Sequence, residues 1–225
     1  MQPDFAARLT NALSSERLAA YQDRLNRQGN LNLFSHYAWN MALSESLYPS
    51  LQVLEVTLRN AIHNAVSQRF KRSDWYEDTK VIKARDAVFV TKAEESLRKA
   101  HKPCEPSRLV AELNLGFWIA LFDSRYEQVL WPQLLKPCFP AMPRALRTRK
   151  NILARLERIR RLRNRVFHHE PIWYWQDLAQ QHADMLEAIG WIEPAAKQLV
   201  ETVDNFPSVY GHGLAEIENR LRQFC

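Results

Sequence analysis

A short segment in the C-terminal third of the chain gathers side chains suited to acid–base chemistry on a phosphate. Arg163, Asn164 and His168 lie within one short run, and His169 and Glu170 follow directly. An imidazole both accepts and donates protons near neutral pH, and a guanidinium holds a phosphate and offsets the charge that develops on it. These groups suffice to cleave RNA, because the ribose 2′-OH is itself the nucleophile and neither a protein nucleophile nor a metal is required.

Helical winding decides which of these side chains share a face. At about 100° per residue, Arg163 falls in the middle of the apolar stripe that begins with Ile152 and Leu156. A guanidinium that is buried without a partner is costly, so Arg163 is expected to be largely buried and to reach an acid, a cleft or a second chain. The alternative is a buried arginine that ties down a helix end or an acid and has no function.

The doubled histidine leaves two spacings open. Asn164 and His168 are four residues apart, which puts them on one helix face beside Arg163. This favours His168 as the catalytic imidazole. His169 points away from that face and is expected to be structural or to support the site, together with Glu170.

A second element of the site is predicted on the helix that follows Pro49. There Glu55 falls inside an apolar stripe and Arg59 falls at its edge. An acid in a core stripe needs a partner, and pairing Glu55 with Arg163 would satisfy both residues. The alternative is an intrahelical Glu55–Arg59 ion pair without a function.

The positive charge of the protein is concentrated around the same segment. Residues 144–165 contain ten basic residues and one acidic residue, so they carry +9, while the rest of the chain carries −3. Such a cluster is typical of a nucleic-acid contact, although a solvated helix face explains it equally well. The candidate RNA-binding residues are Arg155, Arg158, Arg160, Arg161 and Arg165.

Other kinds of site have little support in the sequence. The remaining histidines show no metal-ligand spacing, and there is no Cys-x-x-Cys. There is no Gly-rich phosphate loop either. We therefore expect no metal and no cofactor. Trp173 and Trp175 follow the histidines and could stack an RNA base, but packing in the core or at an interface is the preferred interpretation.

The elements that position these residues are helical throughout. The chain has 225 residues, 46% of them hydrophobic, which is enough for a core without disulfides. Its three cysteines and the lack of a signal-peptide pattern or a long apolar run predict a cytoplasmic protein that does not enter membranes. Helical periodicity without strand alternation predicts one all-α domain over residues 1–225. The predicted helices include 30–47, one from Pro49 to about 70, 79–100, one capped by Ser107, 124–130, the basic helix 143–169, one stopped by Gly190, and 214–224.

Several strings resemble one family of helical proteins. The string LRNRVFHHEPI at 162–172 is similar to the Arg-x4–6-His motif of the HEPN superfamily, helical bundles that are often metal-independent RNases. It looks like the Abi-like branch, which is linked to abortive infection and to toxin–antitoxin systems. Further strings that resemble this branch are ALSESLYP at 42–49, LEVTLRN at 54–60, AELNLGFW at 111–118 and RYE at 125–127.

The resemblance implies a HEPN-type bundle with extra helices that forms a homodimer, with both motifs in one cleft. Arg163 and His168 would be catalytic, and Asn164 would position them. The function implied is an endoribonuclease of a phage-defence or toxin–antitoxin system, with RNA as substrate and an antitoxin or inhibitor protein as a possible partner. Phe167 departs from the family, which usually has a small residue there. That departure keeps open a non-catalytic RNA-binding or protein-interaction module, or a regulatory element under antitoxin control.

Overall fold

A computed structural model describes residues 3–25 and 29–224. These residues form α-helices and short 3₁₀ helices with no β-strand among them, so the predicted all-α class is confirmed. The α-helices are α1 (Pro3–Leu13), α2 (Ser15–Gln22), α3 (Asn30–Phe70), α4 (Ala84–Lys99), α5 (Pro106–Glu112), α6 (Leu115–Ala120), α7 (Leu135–Cys138), α8 (Arg149–Phe167), α9 (Leu178–Ile192), α10 (Pro194–Glu201) and α11 (Phe206–Leu221). The 3₁₀ helices are Trp75–Glu77, Ser124–Tyr126 and Arg222–Phe224.

The chain is divided into two compact units, each built from separate segments. The first unit comprises Met1–Pro49, Leu162–Ala183 and Val203–Cys225, and the second comprises Ser50–Arg161 and Asp184–Thr202. The boundary falls inside α3 and inside α8. The end of α8 that carries Arg163 therefore belongs to the first unit, as does His168 just beyond it.

The predicted helix start at Pro49 is wrong, because α3 continues through this proline. Proline inside a helix removes one backbone hydrogen bond and costs about 3 kcal/mol or more. The buried leucines on either side, among them Leu47 and Leu51, offset this cost. The apolar stripe of the two predicted helices is thus one continuous stripe.

The basic helix is shorter than predicted at both ends. It begins at Arg149 rather than at 143, because the hydroxyl of Thr148 accepts the Asn151 N–H at 3.2 Å and caps the first turn. It ends at Phe167 rather than at 169.

Other predicted boundaries also differ from the structure. The helix predicted for 79–100 starts at Ala84, and the one assigned to a Ser107 cap is two helices, α5 and α6. Asn114 separates those two, since its side chain accepts the Phe117 N–H at 3.1 Å. The helix predicted for 124–130 is only the 3₁₀ turn Ser124–Tyr126. The predicted stop at Gly190 is wrong, because α9 runs through it. The helix predicted for 214–224 begins earlier, at Phe206, and contains a non-helical Gly213 (φ 64°) before Leu214.

Aromatic side chains contribute to the core of both units. In the second unit Trp118 and Trp131 are buried. In the first unit Trp173 packs against the cluster of Leu18, Tyr21 and Phe34, and its ring lies 4.4 Å from that of His36. Trp173 therefore serves in packing, which was the preferred interpretation.

Candidate active site

A C-terminal cap at His169 ends α8. The His169 N–H donates to the Val166 carbonyl at 3.1 Å, and the Glu170 N–H donates to the Arg165 carbonyl at 2.8 Å. His169 itself adopts a left-handed conformation with φ 56°. These two bonds define a Schellman cap, in which the left-handed position is usually glycine. The second histidine of the doubled pair therefore has a backbone role.

His168 remains in helical register with Asn164. The His168 N–H donates to the Asn164 carbonyl at 2.9 Å, which extends the helical bonding pattern one residue beyond α8. His168 is exposed and Asn164 is half-buried. The side chains thus start one helical turn apart, with the imidazole open to solvent.

Arg163 is half-buried, less than the sequence predicted. Its guanidinium carbon lies 4.3 Å from the centroid of the Phe167 ring, a cation–π contact within one turn of the helix. Its Nε atom is buried. The guanidinium is therefore positioned by the same aromatic ring that departs from the family pattern.

Two residues from other helices hold the chain around His168, and the sequence analysis missed both. Arg17 of α2 donates through Nη1 to the carbonyl of His168 at 3.0 Å and to that of His169 at 2.9 Å. A cation at these carbonyls also complements the negative end of the α8 dipole. Nothing in the spacing around Arg17 signals this contact, because its partners lie some 150 residues further along the chain.

Asn40 of α3 holds the segment that follows the cap. Its Oδ1 accepts the N–H groups of Ile172 at 2.7 Å and Trp173 at 3.3 Å, and its Nδ2 donates to the Glu170 carbonyl at 3.3 Å. Asn40 is only 3% exposed. The sequence did contain a signal, since an amide in the buried stripe between Leu33 and Leu43 requires partners.

The residues flanking the cap pair with one another. Arg165 lies 3.1 Å from the Glu170 carboxylate, and its guanidinium carbon is 5.5 Å from the centroid of the Trp175 ring. Further along, Arg24 lies 3.7 Å above the ring of Tyr174. Arg165 is therefore already engaged by an acid of its own chain.

Acids compensate part of the basic surface of α8. In the second unit Arg155 and Arg158 both contact Asp184, at 3.5 and 3.2 Å. Glu187 adds a second ion pair with Arg155. Asp184 and Glu187 lie on α9, outside residues 144–165, so the charge count of that segment does not include them. The local field is weaker than the formal +9 indicates.

The remaining cations of this stretch differ in their surroundings. Arg160 pairs with Glu157 at 2.8 Å, and Arg149 is buried with its Nη1 2.7 Å from the Phe122 carbonyl. Arg161 is exposed and makes no ion pair with any residue that the structure describes. Of the five candidate RNA-binding residues, Arg161 is thus the one left open to a phosphate.

Glu55 and Arg59 both lie in the second unit. Arg59 donates through Nη1 to the Ala111 carbonyl at 3.3 Å, near the end of α5, and within the described part of the chain it makes no ion pair. Glu55 is half-buried on α3, and its role toward Arg163 stays a prediction.

Comparison of the chain with protein-family models, with curated proteins and with solved structures gives no match in any of the three. Among the described residues, no group of three or more His, Cys, Asp or Glu side chains converges on a point where a metal ion would fit. Of the helices in the described ranges, none combines the length and the apolar character needed to cross a membrane. The family resemblance of the motifs therefore stays an expectation.

Proposed function

We propose that this protein is a metal-independent endoribonuclease of the HEPN type, and that the end of α8 is its active site. The observation that carries the proposal is the position of the exposed His168. It lies one helical turn from Asn164, and it directly follows Phe167, whose ring contacts the Arg163 guanidinium. The rigid cap at His169 and the clamps from Arg17 and Asn40 support it, since catalytic groups must be held in place.

The reaction follows from the chemistry of the three side chains. His168 takes the proton of a ribose 2′-OH, or protonates the leaving 5′-oxygen, and a second copy of the chain supplies its own His168 for the other step. The 2′-oxygen attacks the adjacent phosphate, the bond to the 5′-oxygen breaks, and the products are a 2′,3′-cyclic phosphate and a 5′-hydroxyl. Arg163 stabilises the extra negative charge of the phosphorane, and Asn164 holds the imidazole or the phosphate.

A homodimer is part of this proposal, because two imidazoles share the acid and base roles. The resemblance to the Abi-like branch extends it to phage defence or a toxin–antitoxin system, with an inhibitor protein as partner. Trp173 is partly buried against the core of its own unit, so only part of its surface is available for contact with a second copy.

The test compares two neighbouring histidines in one assay. Purified protein is incubated with a mixed RNA pool with and without EDTA, beside the His168→Asn and His169→Asn variants. Loss of one acid–base group lowers the rate about 10²–10⁴-fold, so His168→Asn should lose cleavage. His169→Asn is the matched control, because asparagine tolerates the left-handed conformation.

Three results would contradict the mechanism: full activity of His168→Asn, abolition of cleavage by EDTA, or cleavage of DNA, which lacks the 2′-OH. Mass spectrometry of the fragments checks for the cyclic phosphate.

One observation favours a second candidate, a non-catalytic RNA-binding module of the same fold. The Arg163 guanidinium rests on the Phe167 ring, which would withhold it from a phosphate. If the parent protein binds RNA but cuts none, and Phe167→Ala restores no cleavage, this candidate replaces the first.

A further inference from the structure

Two exposed aromatic rings lie together beside the candidate active site. Phe167, which directly precedes His168, is 42% exposed, and Tyr48 of α3 is 49% exposed. Their ring centroids are 6.1 Å apart, with an interplanar angle of 46°. Both rings therefore keep about half of their area in solvent, directly beside His168.

The surroundings of this aromatic pair are polar and carry cations. The Arg163 guanidinium lies against the Phe167 ring, and the imidazole of His168 follows in the chain. On the α3 side, Met41 and Glu45 are exposed on the same helix face as Tyr48. The pair is therefore a small π surface with a guanidinium at one side and an acid at the other.

We propose that Tyr48 and Phe167 stack unpaired bases of the RNA substrate. This inference rests on the proposed function. Stacking on aromatic rings is how proteins grip unpaired bases, while bases inside a duplex are covered by their neighbours. It also gives Phe167 a role in place of the small residue usual in the family.

The size of the pair favours bases over a second copy of the chain. Each ring side chain offers roughly 100 Å² when about half of its area is free. Two such rings fall far below the roughly 800 Å² per partner that a stable protein interface buries, and they match one or two stacked bases. Glu45 and Arg163 also interrupt the surface, as expected at a polar rim and not at an apolar interface core.

The test measures binding without cleavage. A fluorescent single-stranded RNA with 2′-O-methyl groups, which cannot attack the phosphate, is titrated with the full-length protein and followed by anisotropy. Phe167→Leu and Tyr48→Leu keep apolar bulk but remove the π face, so each should weaken binding about 5- to 150-fold. Phe167→Tyr should bind as the parent does. Leu199→Ala, at a residue that is 63% exposed in the other unit, is the control for loss of a surface side chain.

Two altered RNAs separate stacking from phosphate contacts. An abasic RNA keeps every phosphate but loses the stacking on both rings, so it should bind the parent at least as weakly as normal RNA binds Phe167→Leu, and the variant should show no further loss with abasic RNA. Duplex RNA should bind weakly, with no effect of either variant. Tyr48→Leu guards against an indirect effect, because it leaves the contact between Arg163 and Phe167 in place.

Parent-like affinity in both leucine variants overturns the inference, and so does a parent that binds no single-stranded RNA. It is also overturned if light scattering shows a dimer that the leucine variants dissociate while RNA affinity per chain is unchanged, because a second copy then covers the rings. Cleavage of unmodified RNA by the parent is measured separately. That assay reports on the proposed catalysis alone, so loss of catalysis is distinguished from loss of base stacking.

Discussion

Replacing Asn40 should loosen the segment that follows α8. Asn40→Leu keeps the branched shape and the number of heavy atoms of the side chain, but the N–H groups of Ile172 and Trp173 and the carbonyl of Glu170 all lose this partner. The 2.7 Å bond to Ile172 is the strongest of the three, while the two at 3.3 Å are weaker. An unsatisfied buried group costs about 1–3 kcal/mol, so we expect a loss of about 2–4 kcal/mol in the free energy of unfolding.

For a chain of 225 residues this loss corresponds to a decrease in Tm of roughly 5–15 °C. Thermal melting followed by circular dichroism measures it, and hydrogen exchange should show faster exchange at the amides of Ile172 and Trp173. Asn60→Leu, at an exposed position of the same helix, should change stability by less than about 0.5 kcal/mol. If Asn40→Leu melts like the parent protein with both amides still protected, the clamp does not hold this segment.

Three further predictions concern the cap, pH and charge. His169→Gly should raise the free energy of unfolding by about 0.5–1 kcal/mol, since glycine adopts φ 56° without strain. Chemical denaturation measures this, and an unchanged denaturation midpoint would count against the cap. Burial lowers the pKa of His182 below its ordinary value of 6.5, with Asp204 opposing the shift. The unfolded chain therefore binds the proton first, and Tm should fall as the pH drops below about 6.5, less steeply in His182→Gln; equal slopes in both proteins would refute this. Arg161→Gln should leave Tm unchanged but reduce the salt dependence of RNA binding by about one unit of slope, whereas Arg155→Gln, which loses acid partners, should lower Tm.

Two features of the structure differ from what local sequence preference predicts, and both differences come from tertiary contacts. Pro49 is a helix starter by propensity, yet α3 continues through it because the leucines on both sides are buried along one stripe. Residues 144–165 carry a formal charge of +9 when counted along the chain, but Asp184 on α9 forms ion pairs with Arg155 and Arg158. In both cases the outcome depends on neighbours that are distant in sequence.

The sequence by itself determined that the chain is helical and that Asn164 and His168 share one face at the end of a basic helix, because a period of 3.6 residues is a local property. It also placed His169 off that face. Only the tertiary structure showed that His169 forms the cap, that Arg17 and Asn40 hold the chain around His168, and that Tyr48 lies against Phe167. The contacts made by Arg17, Asn40 and Tyr48 join residues more than a hundred positions apart. They arise from the packing of whole helices, and the spacing of residues within one helix does not encode them.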